Sequence, residues 1–324
     1  MKKIIIDTMG SDFGFEPIVK GSLKALKEID DISFVFVGNK DDINALVSKA
    51  DVDTDRIEII HTTEFVADDD LPTCIFRAGD DKSMAIALET LKKDDEIVGM
   101  ISSGNTGALL VGTICRLGLT PGLKAPALAT ALPCKKDGLV CLVDCGANVE
   151  CSPEDLKRFA LMGNAFMQSL TGNENPKIAL MSVGKTRHKG TALVKSAYEL
   201  IEQLPINFIG NIEGNDMINS EADVIVTDGF TGNALLKNAE ACGMAAISIV
   251  EENVSDPAIK ELLKEKLHSF FAFNDLGGAT FLGTKKTVVK MHGCANADTA
   301  YSCVSLVLEL NKRNFSEKIA KSIL

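Results

Sequence analysis

The chain has 324 residues, of which 46% are hydrophobic, so it can bury the core of one large or two medium domains. Its formal net charge of −11 argues against a nucleic-acid partner, because phosphate backbones are bound largely by clustered Lys and Arg. The nine cysteines lie scattered without framework or zinc-site spacing, which is typical of a reducing, cytoplasmic compartment. No segment has the pattern of a signal peptide or of a membrane span.

The first part of the chain alternates short apolar strands with amphipathic helices. KKIIID predicts a first strand, and Pro17 suits the first residue of a helix that continues to Ile29. Residues 61–83 are acidic and irregular and exceed an ordinary connection, so we interpret part of them as a mobile segment over a site, with a plain solvated loop as the alternative. The same patterns predict strands at 33–37 and 57–61 and a helix at 40–48.

The stretch 97–117 changes once, from a buried strand to an apolar helix. The strand ends at Ser102 and the helix begins at Gly107, which leaves Ser103, Gly104, Asn105 and Thr106 as the turn between them. A helix start offers unpaired N–H groups and the positive end of its dipole, so this turn predicts an anion site. The alternative is that Asn105 or Thr106 only caps the helix.

The sequence of strand, polar turn and helix recurs four times in the rest of the chain. In a parallel sheet with right-handed crossovers, such turns fall at the carboxyl edge, where open α/β folds bind ligands. The sequence therefore predicts an α/β fold with a mainly parallel sheet, helices on both faces and a ligand site at that edge. The four strands are predicted at 139–144, 178–183, 223–227 and 288–291, and their turns are CGANVECSP, GKTRHKGTAL, DGFTGNALL and HGCANAD.

The remaining elements complete a single two-lobed domain over residues 1–324. A strand around Ala129 is followed by a basic corner at Lys135 and Lys136. Two long helices, the first from Gly232, are the least like a crossover. They are predicted to form a hairpin around 235–273 that projects for dimer, partner or membrane contact, or else packs on the core. Other predicted elements are helices at 83–92, 153–170, 192–202 and 296–314 and a strand at 207–212.

The predicted turns carry neutral hydrogen-bonding groups and cations, but no obvious nucleophile. GKT at 184–186 fails as a Walker A loop because Ala179 stands at the required glycine, and no dinucleotide fingerprint follows the first strand. Such turns favour anion binding through positioning and electrostatics, with no metal and no cofactor. The structural alternative is that Asn148 and Asn233 cap helices and that Asp144 and Asp228 hold turns. The groups in question are Asn105, Thr106, Asn148 and Asn233, with Lys185, Arg187, Lys189 and His292 as the cations.

Several motifs occur in one order along nearly the whole chain. They are SSGNTGALL, DCGANVECSPEDLKRFALMGNAF, NPKIALMSVG with Lys189 and Gly190, FIGNIEG, VIVTDGFTGNALLK, and GGATFLG with VVKMHG. As a set they resemble the PlsX-type phosphate acyltransferase family. The resemblance implies transfer of an acyl group from acyl carrier protein, or another acyl thioester, to inorganic phosphate, which gives an acyl phosphate for phospholipid synthesis. It also implies a fold like that of phosphotransacetylases and isocitrate-type dehydrogenases, a cytoplasmic homodimer, and peripheral membrane contact through the helical pair.

The candidate site residues follow from the turns and from this resemblance. Lys189 matches the family's site lysine, and together with Asn105, Thr106 and His292 it makes up the predicted catalytic set. No metal ligand is predicted. The predicted substrate-binding positions are Asp7, Gly10, Gly104, Gly107, Asn148, Lys185, Asp228, Thr231 and Asn233.

Departures from the family's motifs leave other hypotheses open. Ser11 alters the usual DxMGGD start, and Lys185 and Thr186 replace two Glu, a change expected to strengthen anion binding but to remove carboxylates that could position a proton. Cys294 stands where the family usually has Ser. One alternative is therefore the acetyl-phosphate-forming subunit of an amino-acid (glycine) reductase complex with Cys294 as nucleophile. Others are a non-catalytic relative that binds an acyl group or carrier protein, and an NAD-dependent hydroxy-acid dehydrogenase, whose fingerprint is lacking.

Overall fold

The computed structural model describes residues 1–77, 81–134, 138–219, 221–271 and 277–323. The chain divides into two compact units. The first unit comprises Met1–Pro126 and Asn274–Leu324, and the second comprises Ala127–Phe273. The predicted basic corner at Lys135 and Lys136 lies outside the described residues, as do 78–80 of the irregular segment and 272–273 of the predicted hairpin.

Strands and helices alternate along the chain. The strands are β1 (Lys2–Asp7), β2 (Ile32–Gly38), β3 (Ile57–His61), β4 (Ile97–Ser102), β5 (Ala127–Cys134), β6 (Gly138–Val143), β7 (Lys177–Met181), β8 (Asn207–Ile212), β9 (Val224–Val226), β10 (Ala279–Leu282) and β11 (Thr287–Lys290). The helices are α1 (Glu16–Glu28), α2 (Lys40–Val47), α3 (Cys74–Arg77), α4 (Ser83–Lys93), α5 (Thr106–Gly112), α6 (Pro153–Thr171), α7 (Ala192–Ile201), α8 (Gly229–Asn253), α9 (Pro257–Phe271), α10 (Ala297–Lys312) and α11 (Phe315–Ile323). A π-helical turn, Thr113–Leu117, continues α5.

The sheet of the first unit has the strand order β3-β2-β1-β4-β11-β10. Its strands pair in parallel from β3 to β11, and β10 runs antiparallel to β11. Ile4, Ile5 and Ile6 of β1 are all fully buried. Because consecutive strand residues point to opposite faces, both faces of this sheet are covered.

The sheet of the second unit has the strand order β5-β6-β9-β7-β8. Strands β6, β9, β7 and β8 pair in parallel, and β5 runs antiparallel to β6. Val224, Ile225 and Val226 are fully buried, so both faces are covered here as well. Within each unit the carboxyl ends of the parallel strands therefore share one edge. The predicted α/β class with a mainly parallel sheet is confirmed.

Helix α6 shows how the local sequence sets the ends of an element. Ser152 and Asp155 form a capping box, in which each side chain accepts a hydrogen bond from the backbone of the other residue. Pro153 fills the first helical position, where no N–H donor is needed. Gly172 ends the helix in the left-handed conformation at φ 77°, which glycine adopts without steric cost.

Several predicted boundaries were wrong. Helix α8 begins at Gly229 and not at Gly232, because Asp228 caps it. The closing helix ends at Lys312, and Asn314 adopts a φ of 53° before α11, which was not predicted. Strand β10 was also missed. The irregular segment 61–83 contains α3 and is tethered, since the Thr62 hydroxyl donates to the Asp81 carbonyl at 2.6 Å.

The long helices α8 and α9 pack against each other, and α9 also contacts β5. Met244 and Ile249 of α8 and Leu262 of α9 are largely exposed. Among the described residues, no helix combines the length and apolarity needed to cross a bilayer. The projection of this pair from the body and its role in dimer or membrane contact stay predictions.

Candidate functional site

The carboxyl end of β1 carries a buried carboxylate, Asp7, which is only 1% exposed. Its Oδ2 accepts a hydrogen bond from the Ser102 hydroxyl at 2.8 Å, and its Oδ1 accepts one from the backbone N–H of Met9 at 3.2 Å. Burial raises the pKa of Asp7 to about 6, against the opposing effects of Ser102, Ser83 and the charge of Lys290. Asp7 therefore lies beneath the first turn and joins it to the end of β4.

The backbones of the first two turns touch at Gly10 and Gly104. Gly10 has a φ of 78°, and a Cβ at this position would lie 3.0 Å from the Cα of Gly104. A side chain at Gly10 would thus be strained by its backbone conformation and crowded by the neighbouring turn. Gly10 is therefore a glycine for a structural reason that is independent of any ligand.

The turn between β4 and α5 is closed by the side chain of Asn105. Its Oδ1 accepts from the N–H of Ala108 at 2.9 Å and caps the helix, and its Nδ2 donates to the Asp68 carbonyl at 3.2 Å. The capping interpretation of Asn105 is confirmed. Thr106 is exposed in the first turn of α5, and Gly107 is packed against Pro72, where a Cβ would come within 2.7 Å of the Pro72 ring.

The turn between β11 and α10 is bound to the first turn through Gly293. The Gly293 carbonyl accepts from the Ser11 hydroxyl at 2.9 Å and from the Asp12 N–H at 3.0 Å. His292 is half-buried in this turn, and the Cys294 thiol is exposed. The first unit thus brings the predicted residues of its three turns to one edge of its sheet.

Lys290, at the end of β11, is a residue to which the sequence analysis assigned no role. Its ammonium donates to the Ser103 carbonyl at 3.0 Å and to the Met291 carbonyl. Its positive charge also opposes the rise that burial causes in the pKa of the neighbouring Asp7. Lys290 therefore fixes the β4 and β11 turns to each other. Its place in the VVKMHG motif is the sequence signal that could have identified Lys290 as a site residue.

In the second unit, the turn after β6 is organised around Asp144, which is fully buried. Oδ1 accepts from the N–H groups of Leu128, Gly146 and Ala147, and Oδ2 accepts from the N–H and the side-chain amide of Asn148 at 2.7 and 2.8 Å. Burial raises the pKa of Asp144, and these donors oppose the rise. The proposed role of Asp144 as a turn holder is confirmed. Asn148 supports this turn and does not cap a helix.

The first turn of α8 packs on the Asp144 turn. Asp228 caps the helix, because its Oδ1 accepts from the Thr231 N–H at 2.9 Å and its Oδ2 accepts from the Thr231 hydroxyl at 2.8 Å. A Cβ at Gly232 would overlap the Asp144 carbonyl oxygen. Asn233 is exposed beside Gly146, so its predicted alternative as a helix cap was wrong.

The turn after β7 carries the cations of the second unit. Lys185 forms a 2.8 Å ion pair with Asp216, and Arg187 forms one of 2.9 Å with Glu202. The Lys189 side chain is exposed, its stem lies against Gly184, and within the described ranges no carboxylate oxygen lies within 4 Å of its ammonium. Of these three cations, Lys189 is therefore the one that an incoming anion meets without displacing a carboxylate.

Potential metal ligands do not cluster in the part of the chain that the structure describes: no group of three or more His, Cys, Asp or Glu side chains could hold an ion there. All nine cysteines are free thiols. Cys141 and Cys303 are fully buried, and burial raises the pKa of both thiols far above the ordinary range. These two cysteines are core residues.

Fold and turns together define an α/β protein that presents polar turns at the carboxyl ends of parallel strands. The family model described as "Fatty acid synthesis protein" matches residues 2–318. The chain belongs to this family. A phosphate acyltransferase of Clostridioides difficile is 38% identical over 329 residues, which cover 99% of this chain and 96% of the relative. A phosphate acyltransferase of Latilactobacillus sakei is 38% identical over 315 residues, which cover 94% and 92%. The resemblance to PlsX-type phosphate acyltransferases is confirmed.

Solved structures support the fold. A phosphotransacetylase from Staphylococcus aureus matches with a TM-score of 0.65 at 14% identity, over 96% of this chain and 94% of that chain. A phosphotransacetylase from Streptococcus pyogenes matches with a TM-score of 0.66 at 16% identity, again over 96% and 94%. At this identity the likeness concerns the fold alone, and it agrees with the predicted phosphotransacetylase-like architecture.

Proposed function

We propose that this chain is a phosphate acyltransferase that moves an acyl group from acyl carrier protein to inorganic phosphate for phospholipid synthesis. The observation that carries the proposal is the match, over almost the full length of both chains, to relatives named phosphate acyltransferase. The resemblance further supports a cytoplasmic homodimer with peripheral membrane contact through α8 and α9. The polar turns at the sheet edges suit such a reaction because it needs bound anions and oriented hydrogen-bond donors.

The reaction itself is a single acyl substitution. A phosphate oxygen attacks the thioester carbonyl carbon, a C–O bond forms, the C–S bond breaks, and the sulfur leaves as a thiolate. The electrons balance within these two bonds, so no oxidant or reductant takes part. The protein must hold the phosphate and stabilise the negative charge that develops on the carbonyl oxygen.

Lys189 is assigned the phosphate because its ammonium is exposed and lacks a carboxylate partner among the described residues. Lys189→Ala removes a charge-assisted hydrogen bond, which is worth roughly 1.5 to 3 kcal/mol and corresponds to a loss of about 10- to 100-fold. We expect the loss mainly at limiting phosphate. Steady-state rates over a phosphate series measure it, with Lys195→Ala on α7 as the control. An unchanged phosphate KM would remove Lys189 from this role.

The developing oxyanion is assigned to Asn105, Thr106 and His292. The Thr106 hydroxyl is exposed in the first turn of α5, whereas Asn105 Nδ2 donates to the carbonyls of Ala67 at 3.4 Å and Asp68 at 3.2 Å, which occupies both of its N–H groups. Asn105 must therefore release the loop before it can donate to a substrate. Loss of one such donor typically costs roughly 100- to 1,000-fold in rate.

The proposal is tested by trapping the product with hydroxylamine. The protein is incubated with an acyl carrier protein thioester and phosphate, and formation of the acyl hydroxamate is measured. Acyl hydroxamate that depends on both substrates supports the proposal. Absence of product with every acyl donor would leave a non-catalytic protein that binds an acyl group or carrier protein.

Cys294 offers a second route, since its thiol is exposed at the turn before α10. In that route the Cys294 thiolate attacks the thioester carbonyl carbon and the donor leaves as a thiolate. A phosphate oxygen then attacks the acylated Cys294, the C–S bond breaks, and acyl phosphate is released, as in an acetyl-phosphate-forming reductase subunit. Mass spectrometry after incubation with the acyl donor, without phosphate, separates the two routes. Direct attack predicts no acyl mass on the Cys294 peptide and a mild effect of Cys294→Ser. The covalent route predicts an adduct and loss of turnover in the variant.

A further inference from the structure

A groove with an apolar floor and a basic rim lies between α1 and α2 in the first unit, and its volume is about 380 Å³. Leu23, Leu46 and Ala50 form the floor. Lys20, Lys24 and Lys27 line one side from α1, and Lys49, just after α2, lines the other. None of the residues assigned to the polar turns takes part in it.

The rim is basic in a chain whose net charge is −11. Two rim lysines are partly compensated, because Lys20 pairs with Glu16 at 2.7 Å and Lys24 pairs with Asp298 at 2.9 Å. No carboxylate oxygen of the described residues lies within 4 Å of the ammonium of Lys27 or Lys49. A concentration of positive charge on an otherwise acidic surface attracts an acidic partner, and two copies of this groove facing each other would repel.

The shape of the groove restricts what this partner can be. Leu23 is only 4% exposed, and Leu46 and Ala50 are half-buried, so the floor is deepest at Leu23, beneath the lysine stems. A flat bilayer surface is entered by apolar side chains that protrude from a protein, and a recessed floor offers none. The groove instead receives a side chain that protrudes from the partner. An amphipathic helix with an apolar ridge and flanking carboxylates meets both the floor and the rim.

We propose that this groove docks an acidic amphipathic helix of the protein that carries the acyl thioester. This docking role rests on the proposed function, because the docked protein is the acyl carrier. Helix α1 begins just after the β1 turn, and Lys20 and Lys27 lie roughly 6 and 16 Å along it from Glu16 at 1.5 Å per residue. The carrier must therefore present its thioester on an extended arm that reaches back to the turns.

The test reverses the two unpaired rim charges in Lys27→Glu/Lys49→Glu, which leaves both rim ion pairs in place. The matched control is Lys92→Glu/Lys312→Glu, two exposed lysines of the same unit outside the groove. Rates are measured with acyl carrier protein thioester and with acyl-coenzyme A, which has no protein to dock. We expect the KM for the carrier thioester to rise about tenfold in the groove variant, with its dependence on salt reduced. The control variant and the rates with acyl-coenzyme A should stay as in the wild type.

Binding of the purified carrier protein to the immobilised chain at low salt separates this proposal from the proposed function. If the groove variant loses binding and the control keeps it, docking holds even where no acyl phosphate forms from any thioester. If wild type and groove variant bind the carrier equally, or if both donors lose activity equally in the groove variant, docking at this groove is overturned. If the groove variant no longer floats with anionic phosphatidylglycerol vesicles but still binds the carrier protein, the groove contacts a lipid surface, and docking of the carrier at this groove is overturned.

Discussion

The buried carboxyl group of Asp7 makes a prediction about the pH dependence of stability. Its pKa rises from an ordinary value of 3.8 to about 6 because burial disfavours the charged form. Between these values the folded chain binds a proton that the unfolded chain has released. Stability therefore falls as the pH rises from about 4 to about 6, and a shift of roughly two pKa units corresponds to about 3 kcal/mol.

Asp7→Asn removes this titration and keeps the shape of the side chain. The Asn oxygen can still accept from the Met9 N–H, and the Ser102 hydroxyl can accept from the new amide where it now donates at 2.8 Å. We expect the free energy of unfolding of the variant, minus that of the wild type, to increase by about 3 kcal/mol between pH 4 and pH 7.

Urea unfolding followed by circular dichroism at pH 4, 5, 6 and 7 measures this difference. Glu16→Gln is the control with the opposite sign, because the hydrogen bond from Lys20 lowers the pKa of Glu16. In that control the free energy of unfolding of the variant, minus that of the wild type, should decrease as the pH rises. If the Asp7→Asn and wild-type curves run parallel from pH 4 to pH 7, Asp7 ionises at its ordinary value and its burial does not govern its charge.

Three further substitutions test how the turns are held. Asp144→Asn turns an acceptor of two hydrogen bonds into a donor, so we expect urea titration to show a free energy of unfolding lower by about 2 to 4 kcal/mol. An unchanged urea midpoint would contradict the hydrogen bonds that surround the Asp144 carboxylate. Lys290→Met keeps the stem but loses the bond to the Ser103 carbonyl, so kcat should fall with KM little changed, and Lys290→Arg should restore part of it. Gly14→Ala should lower the free energy of unfolding by about 1 kcal/mol, because of its φ of 74° alone. Gly10→Ala should lower it further, because only the Cβ at Gly10 meets another turn. Equal losses in the two variants would contradict the close approach of the two turns.

The parts of the fold that the sequence predicted correctly are those set by local patterns. The apolar run Ile4–Ile6 is short and ends at a polar residue, which fits a strand covered on both faces. Ser152, Pro153 and Asp155 stand at the cap, first and third positions of α6, and these residue types are favoured there for reasons that act within one turn. Such elements need no knowledge of their neighbours in space.

The missed elements depend on partners that are distant in the chain. β10 is a strand of four residues after two glycines, and it pairs with β11 through contacts that no local period reveals. The start of α8 carries a readable signal, Asp228 followed by Thr231, but the sequence pattern places Gly229 in the turn and begins the helix at Gly232. They are glycines because the helix approaches the Asp144 turn closely, which is a tertiary requirement.

At the candidate site, Lys185 shows the same difference between what the local sequence indicates and what depends on a residue distant in the chain. From the sequence, replacement of the family's two Glu by Lys185 and Thr186 predicts stronger anion binding, because it exchanges negative charge for positive. The structure gives this lysine a carboxylate partner, since Asp216 forms an ion pair with it at 2.8 Å and this close contact raises the pKa of Lys185. The added charge is thus compensated within the same edge of the second unit, and an anion gains from Lys185 only by displacing Asp216. Net charge could be counted from the sequence, but its pairing across β7 and β8 could not, so the proposed phosphate contact depends on Lys189.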